Sequence, residues 1–348
     1  MEKLLINGGR SLKGEISCSG AKNAALPMIA ATILSDKNIV LKNLPYLQDI
    51  TTMFELLGSM GANILLNENM DFTISTNALN EKEARYELVK TMRASILVLG
   101  PLVAKYGEAK IALPGGCAIG SRPVNYHLDA LEQLGATIIL KNGYIEASAK
   151  KLIGSKIKFD GVTVTGTENI MMAACLAEGT TVLTNVAKEP EIIDLADFLN
   201  KMGAKISGAG TDEITIEGVD RLHGTEHIIP ADRIEAGTYL VAAAVTKGEI
   251  VINGINPNRL VKVLDKLNET GAIIETSKNS ISLSMKRDKP KPVDITTAPF
   301  PEFPTDMQAQ FSVINAIADG ISNIYETVFE NRFMHVQELN RMGSNIQV

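Results

Sequence analysis

Leu131-Glu132-Gln133-Leu134-Gly135-Ala136-Thr137-Ile138 reads as the last turn of a helix, a glycine that ends it, and the first residues of a strand. A glycine just past the last turn can take the left-handed conformation that closes off the helix's free carbonyls. The same pattern stands at Leu57-Gly58-Ser59-Met60-Gly61-Ala62-Asn63-Ile64 and again at 199–206, 267–274 and 339–346. The glycines fall at 61, 135, 203, 271 and 343, so successive copies lie 68 to 74 residues apart. One such stop is ordinary helix chemistry, but five at near-constant spacing make a repeat.

Upstream of each copy lies an alanine-rich apolar stretch followed by a short strand: 23–34, 93–104, 169–177, 236–245 and 307–318. Small residues let a helix pack closely on every side, so these stretches are expected to be the buried helices. Each unit then reads strand, loop, strand, buried helix, strand, amphipathic helix, strand, which places the chain in the α/β or α+β class. Connections containing Pro or Gly near Ser19-Gly20-Ala21 and Ile229-Pro230-Ala231-Asp232 are the candidate domain junctions. The chain stops just after the fifth Gly-containing turn, so the last unit lacks its closing strand and a six-unit arrangement lacks one whole unit.

With 348 residues, 45% of them hydrophobic and 21% charged, the composition is that of a globular protein with room for two cores. A net charge of −6 argues against nucleic acid or an anionic membrane as partner, because both demand a basic face. Three widely spaced cysteines, Cys18, Cys117 and Cys175, argue against a disulfide framework and for a reducing compartment. The longest apolar run, 24–34, is too short to span a bilayer. The expected location is the cytoplasm. No metal site is expected: His223 and His227 have helical spacing, but Gly224 lies between them and no further ligands complete a set.

Several segments carry chemistry. Leu113-Pro114-Gly115-Gly116-Cys117-Ala118-Ile119-Gly120-Ser121-Arg122-Pro123 is too rich in glycine and proline for regular structure, yet it brings a thiol within five positions of a guanidinium. It is either a plain surface turn or a loop with a reactive cysteine. At Lys22-Asn23 and at Arg93, positive charge falls at the start of a buried helix, against the dipole, where an anion would offset it. The alternative for Lys22 is a solvated side chain. With Arg122, these form a local basic set on an acidic protein. Finally, the three prolines of 299–304 deliver Thr305-Asp306 rigidly to the last buried helix, where Asp306 is either a first-turn cap or a general base. Arg332, downstream in 326–335, serves that pocket or pairs with Glu330.

These segments, with Ala187-Lys188-Glu189-Pro190-Glu191 and Asp232-Arg233-Ile234-Glu235-Ala236-Gly237-Thr238, run collinear over the whole chain. They resemble the bacterial UDP-N-acetylglucosamine 1-carboxyvinyltransferases of the enolpyruvyl transferase family. The resemblance implies a two-domain inside-out α/β barrel of repeated units, three per domain, with the active site in the cleft between the domains. Residues 1–20 plus 231–348 would form one domain, here without its sixth unit, and 21–230 the other. It implies transfer of the enolpyruvyl group of phosphoenolpyruvate to the 3-hydroxyl of UDP-N-acetylglucosamine, the first committed step of peptidoglycan synthesis, without metal or organic cofactor. Carried onto this chain, Cys117 would be the acid toward the methylene carbon and the site of fosfomycin alkylation, and Asp306 the base at the sugar hydroxyl.

By the same resemblance Lys22 and Arg122 would hold phosphoenolpyruvate, Arg93 would support that anion, and Asn23 would orient the sugar nucleotide. Pro123, Val124, Asn125, Tyr126 and His127, together with Arg122 and with Thr163, Val164 and Thr165, would line the uridine diphosphate, with Val328 beside it. The chain departs from the family by ending before a sixth unit and its arginine pair, and by carrying Gln48 and Asn125 where lysine and aspartate are common. The competing readings are an inactive, truncated UDP-sugar-binding homologue and the shikimate-3-phosphate enolpyruvyl transferase. The cysteine of the Pro-Gly-Gly loop argues against the second.

Overall fold

The computed structural model describes residues 5–114 and 124–348. The described residues fall into two compact units, one of 5–19 with 231–348, the other of 20–114 with 124–230. No described helix is long and apolar enough to cross a membrane.

The larger unit holds three four-stranded sheets of one plan. Their orders are Glu226–Ile228, Ile39–Lys42, Phe72–Ser75, Asn63–Leu66; then Glu83–Ala84, Glu108–Ala112, Tyr144–Ser148, Thr137–Lys141; then Lys156–Lys158, Thr180–Thr184, Glu213–Glu217, Lys205–Ser207. In each, the first pair is parallel and the next two antiparallel. The first strand of the first sheet comes from the far end of the unit. Ile229 N–H donates to the Lys42 carbonyl at 2.9 Å and Ala21 N–H to the Pro230 carbonyl at 2.7 Å, so the unit is closed by its own two ends.

The smaller unit repeats the plan once, in the order Lys13–Ser17, Glu249–Asn253, Ser280–Ser284, Ile273–Thr276, and adds a short parallel pair, Ile295–Thr296 with Ile324–Tyr325. In all five copies of the opening motif the glycine after the helix has positive φ, between 92° and 103° at Gly61, Gly135, Gly203, Gly271 and Gly343. A side chain there would strain the turn that reverses helix into strand.

The alanine-rich helices form the interior. In Lys22–Ala31 every residue from Ala24 onward is buried, and it packs against Leu99–Tyr106 by way of the 3-10 stretches that flank them and against Val164–Ala174. Amphipathic helices, Gln48–Ser59, Asn125–Gln133 and Pro190–Lys201, bury one face each. In the smaller unit Arg233–Val245 and Gln308–Ile317 are the inner pair.

Two helix boundaries depart furthest from the sequence expectation. Residues 93–104 do not form one helix: Arg93–Val98 is 3-10 and the α-helix begins at Leu99. Pro101 stands third in that α-helix, in the first turn, where its missing N–H costs no helical bond. The third inner helix starts at Val164 rather than at 169, because Thr163 caps it: its Oγ1 accepts the Gly166 N–H at 3.2 Å.

Candidate functional site

In the larger unit, Lys22 and Asn23 open the first inner helix. The turn before them is clamped, since a Cβ on Gly20 would lie 1.9 Å from the Asn43 carbonyl oxygen. Neither a capping side chain nor an acid in the first turn satisfies the helix start. Asn23 is exposed and Lys22 half-exposed. The charge of Lys22 is not left against the dipole, as the sequence suggested: its Nζ lies 3.2 Å from Asp49 Oδ2 in the first turn of the next helix. A pair this exposed contributes at most about 1 kcal/mol, so a doubly charged anion can displace Asp49.

Arg93 opens the 3-10 stretch, and its charge acts on His127. His127 is 2% exposed, in the first turn of Asn125–Gln133, and burial followed by the Arg93 charge pushes its pKa down to about 3. The ring is neutral at physiological pH. Its Nδ1 meets Asn169 Nδ2 at 2.9 Å and its Nε2 meets Thr165 Oγ1 at 3.3 Å. His127 is thus buried between Asn169 and Thr165 and offers almost no exposed surface of its own. Tyr126 lies over Gly161, where a Cβ would come within 2.7 Å of the phenol oxygen. Thus Arg93, Val124, Asn125, Tyr126, His127, Thr163, Val164 and Thr165 gather around two adjacent helix starts.

Behind them is an acidic cluster the sequence did not flag. Glu168 is buried, and burial, then Glu191, then Glu189 push its pKa well above the carboxylate range. This carboxyl is therefore harder to ionise than an exposed one.

In the smaller unit Asp306 lies in the 3-10 turn Thr305–Met307 that leads into Gln308–Ile317. It makes no cap bond. Its Oδ1 accepts from Arg332 Nη2 at 2.7 Å, while Arg332 Nη1 donates to Thr305 Oγ1 at 3.1 Å and the guanidinium lies 5.5 Å from the Phe329 ring. Arg332 thus turns to Asp306 rather than to Glu330. Thr305 O–H donates to Glu326 Oε2 at 2.8 Å. Glu326 Oε1 accepts from Thr297 O–H at 2.8 Å and from the Val328 and Phe329 N–H groups at 2.9 and 3.1 Å. Glu326 is the brace of this end, and nothing in its sequence position signals that. One Asp306 oxygen, Oδ2, receives no bond among the described residues.

Cys117, Arg122 and Pro123 lie outside the described residues. The other two cysteines are unsuited to thiol chemistry: burial, aided at Cys18 by Glu235 and Asp232, pushes both Cys18 and Cys175 up to about 12.

Comparison with known proteins gives the family of the chain. Residues 6–348 match the EPSP synthase (3-phosphoshikimate 1-carboxyvinyltransferase) family. The UDP-N-acetylglucosamine 1-carboxyvinyltransferase of Hydrogenovibrio crunogenus is 55% identical over 348 residues, covering all of this chain and 83% of that protein. Among solved structures, the enolpyruvyl transferase NikO from Streptomyces tendae aligns over 99% of this chain and 81% of its own with a TM-score of 0.86 at 23% identity. An EPSP synthase from Acinetobacter baumannii aligns over 97% of this chain and 80% of its own at 0.71 and 19%. At such identities these two structures establish the fold alone.

Proposed function

The chain belongs to the EPSP synthase family of carboxyvinyltransferases, and on that premise we propose that it transfers the enolpyruvyl group of phosphoenolpyruvate to the 3-hydroxyl of UDP-N-acetylglucosamine. The observation that carries this reading is the 55% identity, over the entire chain, with a protein named for that activity. Phosphate is released, and the place of the reaction is the first committed step of peptidoglycan synthesis, in the cytoplasm.

The chemistry asks for an addition and an elimination. The sugar oxygen bonds to C2 of phosphoenolpyruvate as its proton leaves and a proton arrives on C3; then the C3 proton is lost and the C2–O bond to phosphate breaks. Asp306 suits the first proton, with Oδ2 open and Oδ1 held by Arg332. Cys117 is the acid toward C3 and the site that fosfomycin alkylates. Lys22, Arg93 and Arg122 offset the phosphate and carboxylate charges, since guanidinium and ammonium groups are strongest where water is excluded. Asn23 orients the sugar nucleotide. Thr163, Val164 and Thr165, with the 122–126 segment and Val328, take the uridine diphosphate.

The domain assignment, 1–20 plus 231–348 and 21–230, gives the base to one domain and the anion site to the other. The test is release of inorganic phosphate from phosphoenolpyruvate with UDP-N-acetylglucosamine, and separately with shikimate 3-phosphate, as acceptor. Release with the UDP-sugar alone, together with a fosfomycin adduct on Cys117 that forms faster when the nucleotide is present, supports the reading. Release with shikimate 3-phosphate, or a folded chain inert to both, overturns it.

A further inference from the structure

Asn169 lies in the second turn of Val164–Ala174 and has no exposed surface. Its amide has only one possible orientation. Oδ1 accepts the Gly100 N–H at 2.6 Å, and Nδ2 donates to the Ile96 carbonyl at 2.9 Å. A backbone N–H only donates and a backbone carbonyl only accepts, so these partners decide which end is nitrogen. The second Nδ2 hydrogen meets His127 Nδ1 at 2.9 Å. Nδ1 is therefore the acceptor, and the proton of the neutral ring sits on Nε2. That N–H faces Thr165 Oγ1 at 3.3 Å and occupies one of its lone pairs. The hydroxyl's own proton must then go elsewhere, and among the described residues it has no acceptor.

Thr165 is half-buried at the start of its helix, where the Val164 and Thr165 N–H groups likewise have no partner among the described residues. Asn169 also ties the Arg93 segment, through Ile96 and Gly100, to the helix that carries Thr165. The contact is tight: a Cβ on Gly100 would lie 2.3 Å from Asn169 Oδ1.

We propose that Asn169 is a positioning residue for the phosphate end of the substrate: by imposing one tautomer on His127, it makes the Thr165 O–H a fixed donor to an anionic oxygen at the start of Val164–Ala174. This deepens the reading of a UDP-sugar as acceptor substrate and rests on it. Thr165 touches the ligand, while His127 and Asn169 act through it. The chemistry recognised is a diphosphate oxygen, a strong acceptor that completes a hydroxyl already committed as acceptor on its other side.

The full chain labelled with 15N-histidine is expected to show, for His127, a protonated Nε2 and an unprotonated Nδ1 without any ligand; a protonated Nδ1 overturns the proposal. Calorimetry with UDP-N-acetylglucosamine and with inorganic pyrophosphate supplies the second arm. Thr165→Val and Asn169→Asp are each expected to weaken both ligands about tenfold, the scale of one hydrogen bond to a charged group. The double variant should be no weaker than the weaker single one, because both remove the same bond. Fully additive losses overturn the proposal, and so does undiminished pyrophosphate affinity in Thr165→Val, a readout that stands even if Asn169→Asp fails to fold. Pyrophosphate binding with this dependence but no transfer to the UDP-sugar leaves the proposal standing and removes the transferase reading. Transfer by a chain whose Thr165→Val variant binds normally does the reverse, and a wild-type chain that binds neither ligand removes both.

Discussion

The polar groups around Thr165 and those around Asp306 are held in opposite ways. At the first end, Asn169 and His127 are sealed in the interior and every donor and acceptor role follows from backbone partners. At the second, Asp306 and Arg332 keep 37% and 20% of their side-chain surface, and their geometry is set by a brace of hydroxyls and one carboxylate. A buried network has no water to replace a lost partner, so its members are matched to one geometry and respond to change with lost stability. A half-exposed network can substitute water for a lost bond. It responds in the function of the group it aims.

The largest effect should therefore appear at the exposed end and leave the fold intact. Asp306→Asn keeps the shape and the Arg332 contact on one oxygen but removes the base, so kcat is expected to fall by about 10³, within the range for general bases, while the melting temperature moves by no more than ~2 °C. Steady-state assay and a thermal melt on the same preparation check both halves. A large loss of stability with modest loss of turnover would reverse the comparison.

Gly100→Ala should give the complementary result. The new methyl would sit 2.3 Å from Asn169 Oδ1 and 2.4 Å from its carbonyl, and 3.2 Å from Ala173 Cβ. Backbone cannot yield as a flexible side chain can, so the cost is expected to be about 2–3 kcal/mol, read as a fall in melting temperature of about 4–10 °C. A neutral melt would mean that the inner helices are looser than they look.

Much of this division was legible in the chain and some was not. The Gly-Ala turns were readable because a helix stop needs a residue tolerant of positive φ, and Gly61, Gly135, Gly203, Gly271 and Gly343 all adopt it. The alanine-rich stretches were readable as interior because composition alone marks a helix buried all round. Positive charge at Lys22 and a rigid turn at Asp306 were visible as local chemistry. The partner of Lys22 was not, since no periodicity links a carboxylate to the cation it will meet, and Arg332 stood in the sequence only as one of two alternatives, serving the Asp306 pocket or pairing with Glu330. Asn169 read as the first residue of a helix, whereas the Thr163 cap puts it in the second turn, aimed at two other segments. The 93–104 stretch divides into a 3-10 part and an α part that its apolar composition did not mark.

Glu326→Gln probes the brace. Oε1 takes three donors and Oε2 takes the Thr305 hydroxyl, so an amide must turn its NH₂ toward one donor or force Thr305 to reverse its O–H. The loss is expected to be about 1 kcal/mol of stability with a fall in kcat of about tenfold, as Thr305 no longer holds Arg332 and Asp306 in register. Unchanged turnover would show that Arg332 aims Asp306 without help.

The smallest effect separates the two ends by pH. Glu168 has its pKa raised well above its ordinary value of 4.5, through burial and then the charges of Glu191 and Glu189. A carboxyl that is harder to ionise in the folded state than in the unfolded chain gives up protons more readily on unfolding. Its stabilising contribution is whole below pH 4.5 and shrinks as the pH climbs toward the folded value. His127 runs the other way: with a folded pKa near 3 against an ordinary 6.5, it costs stability only as the pH falls below 6.5. Glu168→Gln removes the alkaline slope without touching the acidic one. The variant is expected to melt about 2–4 °C above the unmodified chain at pH 8, with a smaller gain at pH 5. An equal gain at both values would point to packing instead, and a loss at pH 8 would mean that the ionised carboxylate has a partner in the interior, placing this end of the molecule under the same half-exposed regime as Asp306.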